Sequence, residues 1–136
     1  MFKFVHIKTI EYTNCSDLSE MYILPNDKCR LSPSTVFKEI ANFDLVSCTI
    51  DDTVDNNSKT YTVNVSFKSS DKELSLGRKL AFRLTQLDGQ QFLVGTKYRP
   101  YPIIKESDPF PDKPTNSYLK NFTITWKSTL PPLLIV

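Results

Sequence analysis

The stretch FRLTQLDGQQFLV, residues 82–94, decides how this chain is read. Leu80, Phe82 and Leu84 alternate with Ala81, Arg83 and Thr85, and Gln91 to Val94 resume beyond Asp88-Gly89. A period of two is the signature of a strand, whose successive side chains point to opposite faces. Asp-Gly supplies the positive φ that a tight hairpin turn requires, so two antiparallel strands are predicted here. The continuation, GTKYRPYPII at 95–104, behaves differently. Gly95 ends or bulges the strand, and Pro100 and Pro102 lack a backbone donor, so sheet pairing beyond them belongs to an edge.

The same period recurs on both sides of the hairpin. FKFVHIKTIEY near the amino terminus reads as a first strand mixed on both faces, and a short strand is predicted at Met21–Leu24 within a loop-rich segment. FDLVSCTID and TYTVNVSFK read as strands, the second with Tyr61, Val63, Val65 and Phe67 on one face. DDTVDNNSK between them reads as a long polar loop. The segment SSDKELSLGRK begins as a helical turn capped by Ser70 or Asp71, which Gly77 keeps short. NFTITWK places Phe122, Ile124 and Trp126 together on a closing strand. One helix is expected near Ser32-Pro33, where Ser32 caps, Pro33 takes the first position, and Val36, Phe37 and Ile40 form the apolar stripe. The fold class is therefore mainly β, an antiparallel sandwich or open barrel with one short helix, and α+β as the alternative. At 136 residues and 40% hydrophobic, it forms a single domain over residues 1–136. A proline-rich loop or arm at 107–116 and an apolar tail at 131–136 are expected to be better ordered in an assembly than in the isolated chain, with the tail packed against a neighbouring subunit.

Chemistry is sparse. The single histidine, His6, falls on a predicted strand, which leaves no histidine-based triad and too few ligands for a multi-histidine metal site. Asp51, Asp52 and Asp55 invite comparison with calcium loops but lack the turn glycine and terminal glutamate of an EF-hand. Three glycines, Gly77, Gly89 and Gly95, build no phosphate-cradling loop. Cys15, Cys29 and Cys48 lack metal-knuckle spacing and are read as reduced, buried thiols, with a Cys15–Cys29 bridge open in an oxidising compartment. The sequons at Asn14, Asn56, Asn64 and Asn121 are read as chance triplets, since no signal peptide precedes them. No cofactor or catalytic residue is expected. A charge of +2 is far from that of a dedicated nucleic-acid binder, and no apolar run is long enough to span a bilayer. The expectation is a protein made in the cytoplasm, without a membrane partner.

Surface recognition remains. Lys97, Tyr98, Arg99 and Tyr101 combine basic and aromatic side chains, the types enriched at binding hot spots and able to stack on sugars or single-stranded nucleic acid. Leu133, Leu134 and Ile135 in the tail form the second candidate contact. KLAFRLTQLDGQQFLVGTKYRPYPII, a proline-rich link and NFTITWKSTLPP together resemble small virion proteins of tailed bacteriophages and prophages of gut bacteria, over residues 71–136. The resemblance implies a non-enzymatic component of the tail or head–tail connection, contacting itself or other virion proteins. An oligosaccharide- or nucleic-acid-binding β module is the competing expectation.

Overall fold

The computed structural model describes residues 2–40, 42–69, 79–107 and 120–136, with residues 2–6, 42–45, 107 and 120 described through their backbone alone. The strands are β1 (Phe2–Asn14), β2 (Tyr22–Leu24), β3 (Lys28–Arg30), β4 (Lys38–Glu39), β5 (Asn42–Asp55) and β6 (Ser58–Ser69). They continue with β7 (Leu80–Gln86), β8 (Gln91–Val94), β9 (Ile103–Ser107), β10 (Lys120–Ser128) and β11 (Leu133–Ile135). All belong to one sheet, ordered β2-β3-β11-β8-β7-β1-β5-β6-β10-β9, with β4 added to β1. The sheet is curled into a half-barrel, mixed through the parallel pair of β11 with β3. The mainly β, open-barrel expectation holds, and a single sheet takes the place of a sandwich. The helical turn capped by Ser70 or Asp71 and the proline arm lie outside the described residues, apart from Ser107, which ends β9.

A short connection ties the curl. Residues 95–102 join β8 to β9, six places apart in the sheet order. In a flat sheet six steps of about 4.8 Å would separate these strands by about 29 Å, near the full reach of so short a loop, on the order of 30 Å. Instead the loop's ends touch: a Cβ built on Gly95 would lie 2.7 Å from Pro102 Cγ and 3.3 Å from Ala81 Cα. Gly95 also takes φ +98°, a left-handed conformation that glycine adopts without a Cβ penalty. The Trp126 indole, 1% exposed, donates from Nε1 to the Pro100 carbonyl at 3.0 Å and so fastens the loop to β10.

Two apolar clusters sit on opposite faces of β7. Leu80, Phe82 and Leu84 join Val46, Cys48, Val63, Val65, Phe122, Ile124 and Trp126 in the larger one. Since it also holds both Val94 at the end of β8 and Ile104 on β9, it fills the inside of the curl. Ala81 and Leu93 instead join Cys15, Leu18, Met21, Cys29 and Leu133 on the outside. Strand β7 is thereby covered on both faces, which a half-buried antiparallel strand is not.

Three expectations need correction. The helix at Ser32–Ile40 is absent: Ser32 Oγ caps only a local turn, accepting from the Ser34 backbone N–H at 3.3 Å, and Lys38–Glu39 form β4 instead. A helix of two turns is marginal without tertiary support. Beyond Ile7 the edge of β1 is free of β5, and β4 fills it, with Glu11 opposite Glu39 and Tyr12 opposite Lys38. Ile40 donates its backbone N–H to the Ile10 carbonyl at 2.9 Å and is buried; Val36, expected on the stripe, is exposed. Among the described residues the one helical element is the 3₁₀ turn Cys15–Leu18.

The polar loop between β5 and β6 is a tight hairpin. Pairing continues through Val54 opposite Lys59 and Asp55 opposite Ser58, leaving Asn56-Asn57 as the turn at φ 50° and 64°. Two successive left-handed residues make the type I′ turn that matches strand twist, and Asn tolerates that region better than most side chains.

The apolar tail is the third. Leu133–Ile135 form β11, antiparallel to β8 and parallel to β3, and Leu133 is fully buried. The Leu134 and Val136 amides donate to the carbonyls of Asp27 and Cys29 at 2.9 and 3.0 Å. The tail is covered by its own chain: without it the free edge of β8 and the apolar Cys29, Leu18 and Met21 would face water.

Candidate functional site

The loop 95–102 carries the basic and aromatic residues singled out above. Its first half is held by Thr96, buried at 2%, whose hydroxyl accepts from the Tyr98 amide at 3.1 Å. Lys97 donates from Nζ to the Ser19 carbonyl at 3.0 Å, which binds the loop to the segment after the 3₁₀ turn. The same ammonium lies 5.3 Å from the Tyr98 ring centroid, within range of a cation–π contact. Tyr98 stands 57% exposed and Arg99 is exposed beside it. Tyr101 differs: it is half-buried against the outer cluster, with Lys79 Nζ 5.2 Å from its ring. The loop thus offers Tyr98 and Arg99 outward, while Lys97 is half-buried and turned to Ser19 and Tyr101 packs inward. Leu133 is core, and Leu134 and Ile135 are half-buried in β11, away from Tyr98 in role.

The far end of the β5–β6 hairpin is a second exposed feature, legible only in part from sequence. Strand β1 meets β5 no further than Phe2 opposite Ile50, and β10 meets β6 no further than Ser128 opposite Tyr61. Beyond these limits residues 51–60 form a two-stranded ribbon. Its inward phase runs Ile50, Asp52, Val54 on β5 and Val63, Tyr61, Lys59 on β6, so the apolar run ends at Asp52 and Lys59. Lys59 Nζ is 3.3 Å from Asp52 Oδ2 and 5.1 Å from the Tyr61 ring. Hydrogen bonding to the Tyr61 side chain and then to Asp52 holds its ammonium above the ordinary pKa. Val54 is 71% exposed. The sequence signal was Asp52 falling where the buried phase of the strand called for an apolar residue.

The remaining candidates are structural. Arg83 donates from Nε and Nη2 to both carboxylate oxygens of Glu11, at 3.0 and 2.6 Å, and its guanidinium lies 4.3 Å from the Phe37 ring centroid. That part-buried pair crosses β1 and β7 and is geometry for rigidity. The cysteines are unpaired and buried; burial pushes the Cys15 and Cys29 thiols up to about 11 and Cys48 to about 12. A raised thiol pKa is the opposite of what a nucleophile needs. Glu20, Tyr22, Arg30, Leu31, Ser32 and Pro33 line an open cleft of about 370 Å³ beside β2. Among the described residues no group of three or more His, Cys, Asp or Glu is placed to hold a metal, and no helix is long and apolar enough to cross a membrane. His6 lies on β1 where the backbone alone is described.

Compared with protein-family models, curated proteins and solved structures, the chain finds no match.

Proposed function

We propose that this chain is a non-enzymatic structural subunit that assembles through the margins of its sheet with copies of itself or with neighbouring virion proteins. Its setting is the tail or head–tail connection of a phage or prophage particle, put together in the bacterial cytoplasm. The observation that carries the assembly reading is that four of the eight exposed large apolar side chains of the described residues lie on the terminal strands and the ribbon. Tyr22 (68% exposed) and Ile23 (40%) are on β2, Ile103 (60%) is on β9, and Val54 is on the ribbon. Strands β2 and β9 terminate the sheet, and among the described residues neither has a second strand beside it. Edge backbone groups flanked by exposed apolar side chains favour pairing with another chain. The phage setting rests on the sequence resemblance over residues 71–136.

A glycan- or nucleic-acid-binding module finds less support. Stacking sites for successive rings need adjacent open aromatic faces, and the inward packing of Tyr101 leaves Tyr98 alone on the loop. Sedimentation of the purified protein over a wide concentration range tests the reading. A discrete, concentration-dependent oligomer is expected. A monomer at every concentration that binds oligosaccharide or single-stranded nucleic acid would replace it with the module.

A further inference from the structure

Ladder geometry fixes which backbone groups β2 leaves unpaired. The Asp27 and Cys29 carbonyls accept from the Leu134 and Val136 amides of the tail. On β3 the alternate residues Lys28 and Arg30 therefore turn their backbone groups the other way, and bond Leu24 and Tyr22 of β2. Ile23, between those two, points its N–H and C=O away from the sheet. The Met21 amide is spent on the Leu18 carbonyl at 3.0 Å, and Pro25 has none. This margin thus offers the carbonyls of Met21 and Ile23 but a single amide, and it suits a strand rich in donors. A second β2 is not that strand, because its Pro25 would stand opposite Met21. The side chains divide with the same period. Tyr22 shares a face with Arg30, both lining the open cleft, and Ile23 lies on the other face with Cys29.

The ribbon supplies such a strand. Its two-residue turn makes Asp55 and Ser58 a hydrogen-bonded pair, so Thr53 and Asp51 also bond across to β6. Val54 then turns both backbone groups outward, and Asn56 its amide. Strand β1 meets β5 no further than Ile50, so among the described residues no strand pairs with this edge. Resting on the assembly reading above, we infer that β5 of one copy's ribbon adds antiparallel to β2 of a second copy, with Val54 opposite Ile23. Val54 and Ile23 exchange two backbone bonds, and the Asn56 amide donates to the Met21 carbonyl. In this register the exposed Val54 and Ile23 side chains meet on one face, and Asp55 falls opposite Tyr22 on the other. Asp55 is there two strand spacings, about 10 Å between backbones, from Arg30, which makes no ion pair among the described residues of its own chain. Glu20, the acid of the cleft, comes level with the uncharged Asn56-Asn57 turn. Sliding the ribbon forward by two residues would instead set the Asp52 carboxylate against Ile23. The two edges differ, so the contact is heterologous and generates a ring if its rotation closes and a filament if it does not.

Proline tests the contact without removing a bond from either ladder, since the amides of Ile23 and Val54 both point outward. Ile23→Pro and Val54→Pro are each expected to self-associate at least tenfold more weakly than wild type in sedimentation velocity. Mixed in equal amounts, they are expected to form a one-to-one dimer that grows no further, because one intact β2 meets one intact ribbon. Circular dichroism monitors the fold. If proline disturbs it, Arg30→Glu and Asp55→Arg carry the test, each expected to weaken association by itself and the two in one chain to restore it. Wild-type protein that stays monomeric removes the assembly reading and this inference with it. Single variants that assemble as wild type does, a proline mixture that stays monomeric, or a double charge variant that fails to recover overturn this contact alone, and assembly through other sheet margins stands.

Discussion

Strand β7 and the β5–β6 ribbon are built from the same hairpin grammar and end in opposite environments. Strand β7 has Leu80, Phe82 and Leu84 on the inner cluster and Ala81 on the outer, so both faces are covered. The ribbon keeps its pairing to Asp55 opposite Ser58 while Asp52, Val54 and Lys59 stay in water. Backbone pairing is equally regular in both. The difference is what lies above the sheet: the 3₁₀ turn, β3 and β11 cover one, and among the described residues nothing covers the other. Regular hydrogen bonding therefore says little about local stability here, and burial says most of it.

The sharpest way to break that comparison is a pair of truncations. Phe82→Ala removes a side chain 1% exposed at the middle of β7 and should cost about 3–5 kcal/mol, whereas Val54→Ala on the ribbon should stay within about 0.5 kcal/mol. Denaturant unfolding measures both, and similar losses would mean that the ribbon is packed within the monomer.

Gly95→Ala comes next. Its φ of +98° disfavours any Cβ, and that Cβ would lie 2.7 Å from Pro102 Cγ and 2.9 Å from Pro102 Cδ. A loss of about 2–3 kcal/mol is expected from strain and overlap together. A melting temperature equal to that of wild type would show that the curl does not depend on this approach.

The thiols sharpen the comparison through pH. Each has a folded pKa raised above its usual value near 9.0, to about 11 for Cys15 and Cys29 and about 12 for Cys48. Above pH 9 the unfolded chain releases these protons while the folded one retains them, so stability is full below that pH and falls as pH rises toward 11–12. The slope should approach about 1.4 kcal/mol per pH unit for each thiol. A triple Cys→Ala variant should lose that part of the alkaline dependence. In the native protein all three thiols should resist a thiol reagent at neutral pH, and fast labelling would place them outside the two clusters.

A smaller effect than that of Gly95 belongs to Gly89. The Gly89 amide donates to the Gln86 carbonyl at 3.0 Å, the Gln90 amide donates to Asp88 Oδ1 at 3.0 Å, and Gly89 takes φ +93°. Only Gly89, and not Asp88, is left-handed, which makes this a three-residue turn with a bulge in place of a two-residue one. A Cβ there meets no atom within 4 Å, so Gly89→Val should cost about 1 kcal/mol, from the backbone alone. A loss as large as that of Gly95→Ala would reveal a contact at the hairpin tip.

The amino-acid sequence by itself determined the long strands. Period-two alternation places Val63, Val65 and Phe67, and Phe122, Ile124 and Trp126, on buried faces, and Asp88-Gly89 marks a turn, because these features depend on neighbours in the chain. It also singled out Tyr98 and Arg99 as surface residues, which they are. Tertiary structure decided everything that depends on residues distant in sequence. Val36–Ile40 had an apolar spacing compatible with a helix, but the free edge of β1 some thirty residues away claimed Lys38 and Glu39 as a strand. Tyr101 carries the same residue type as Tyr98, and only the outer cluster beneath it turned it inward. LLIV looked like an exposed tail because its partners, β3 and β8, are encoded about a hundred and about forty residues earlier. Apolar character states that a segment must be buried, and only the curled sheet says against what.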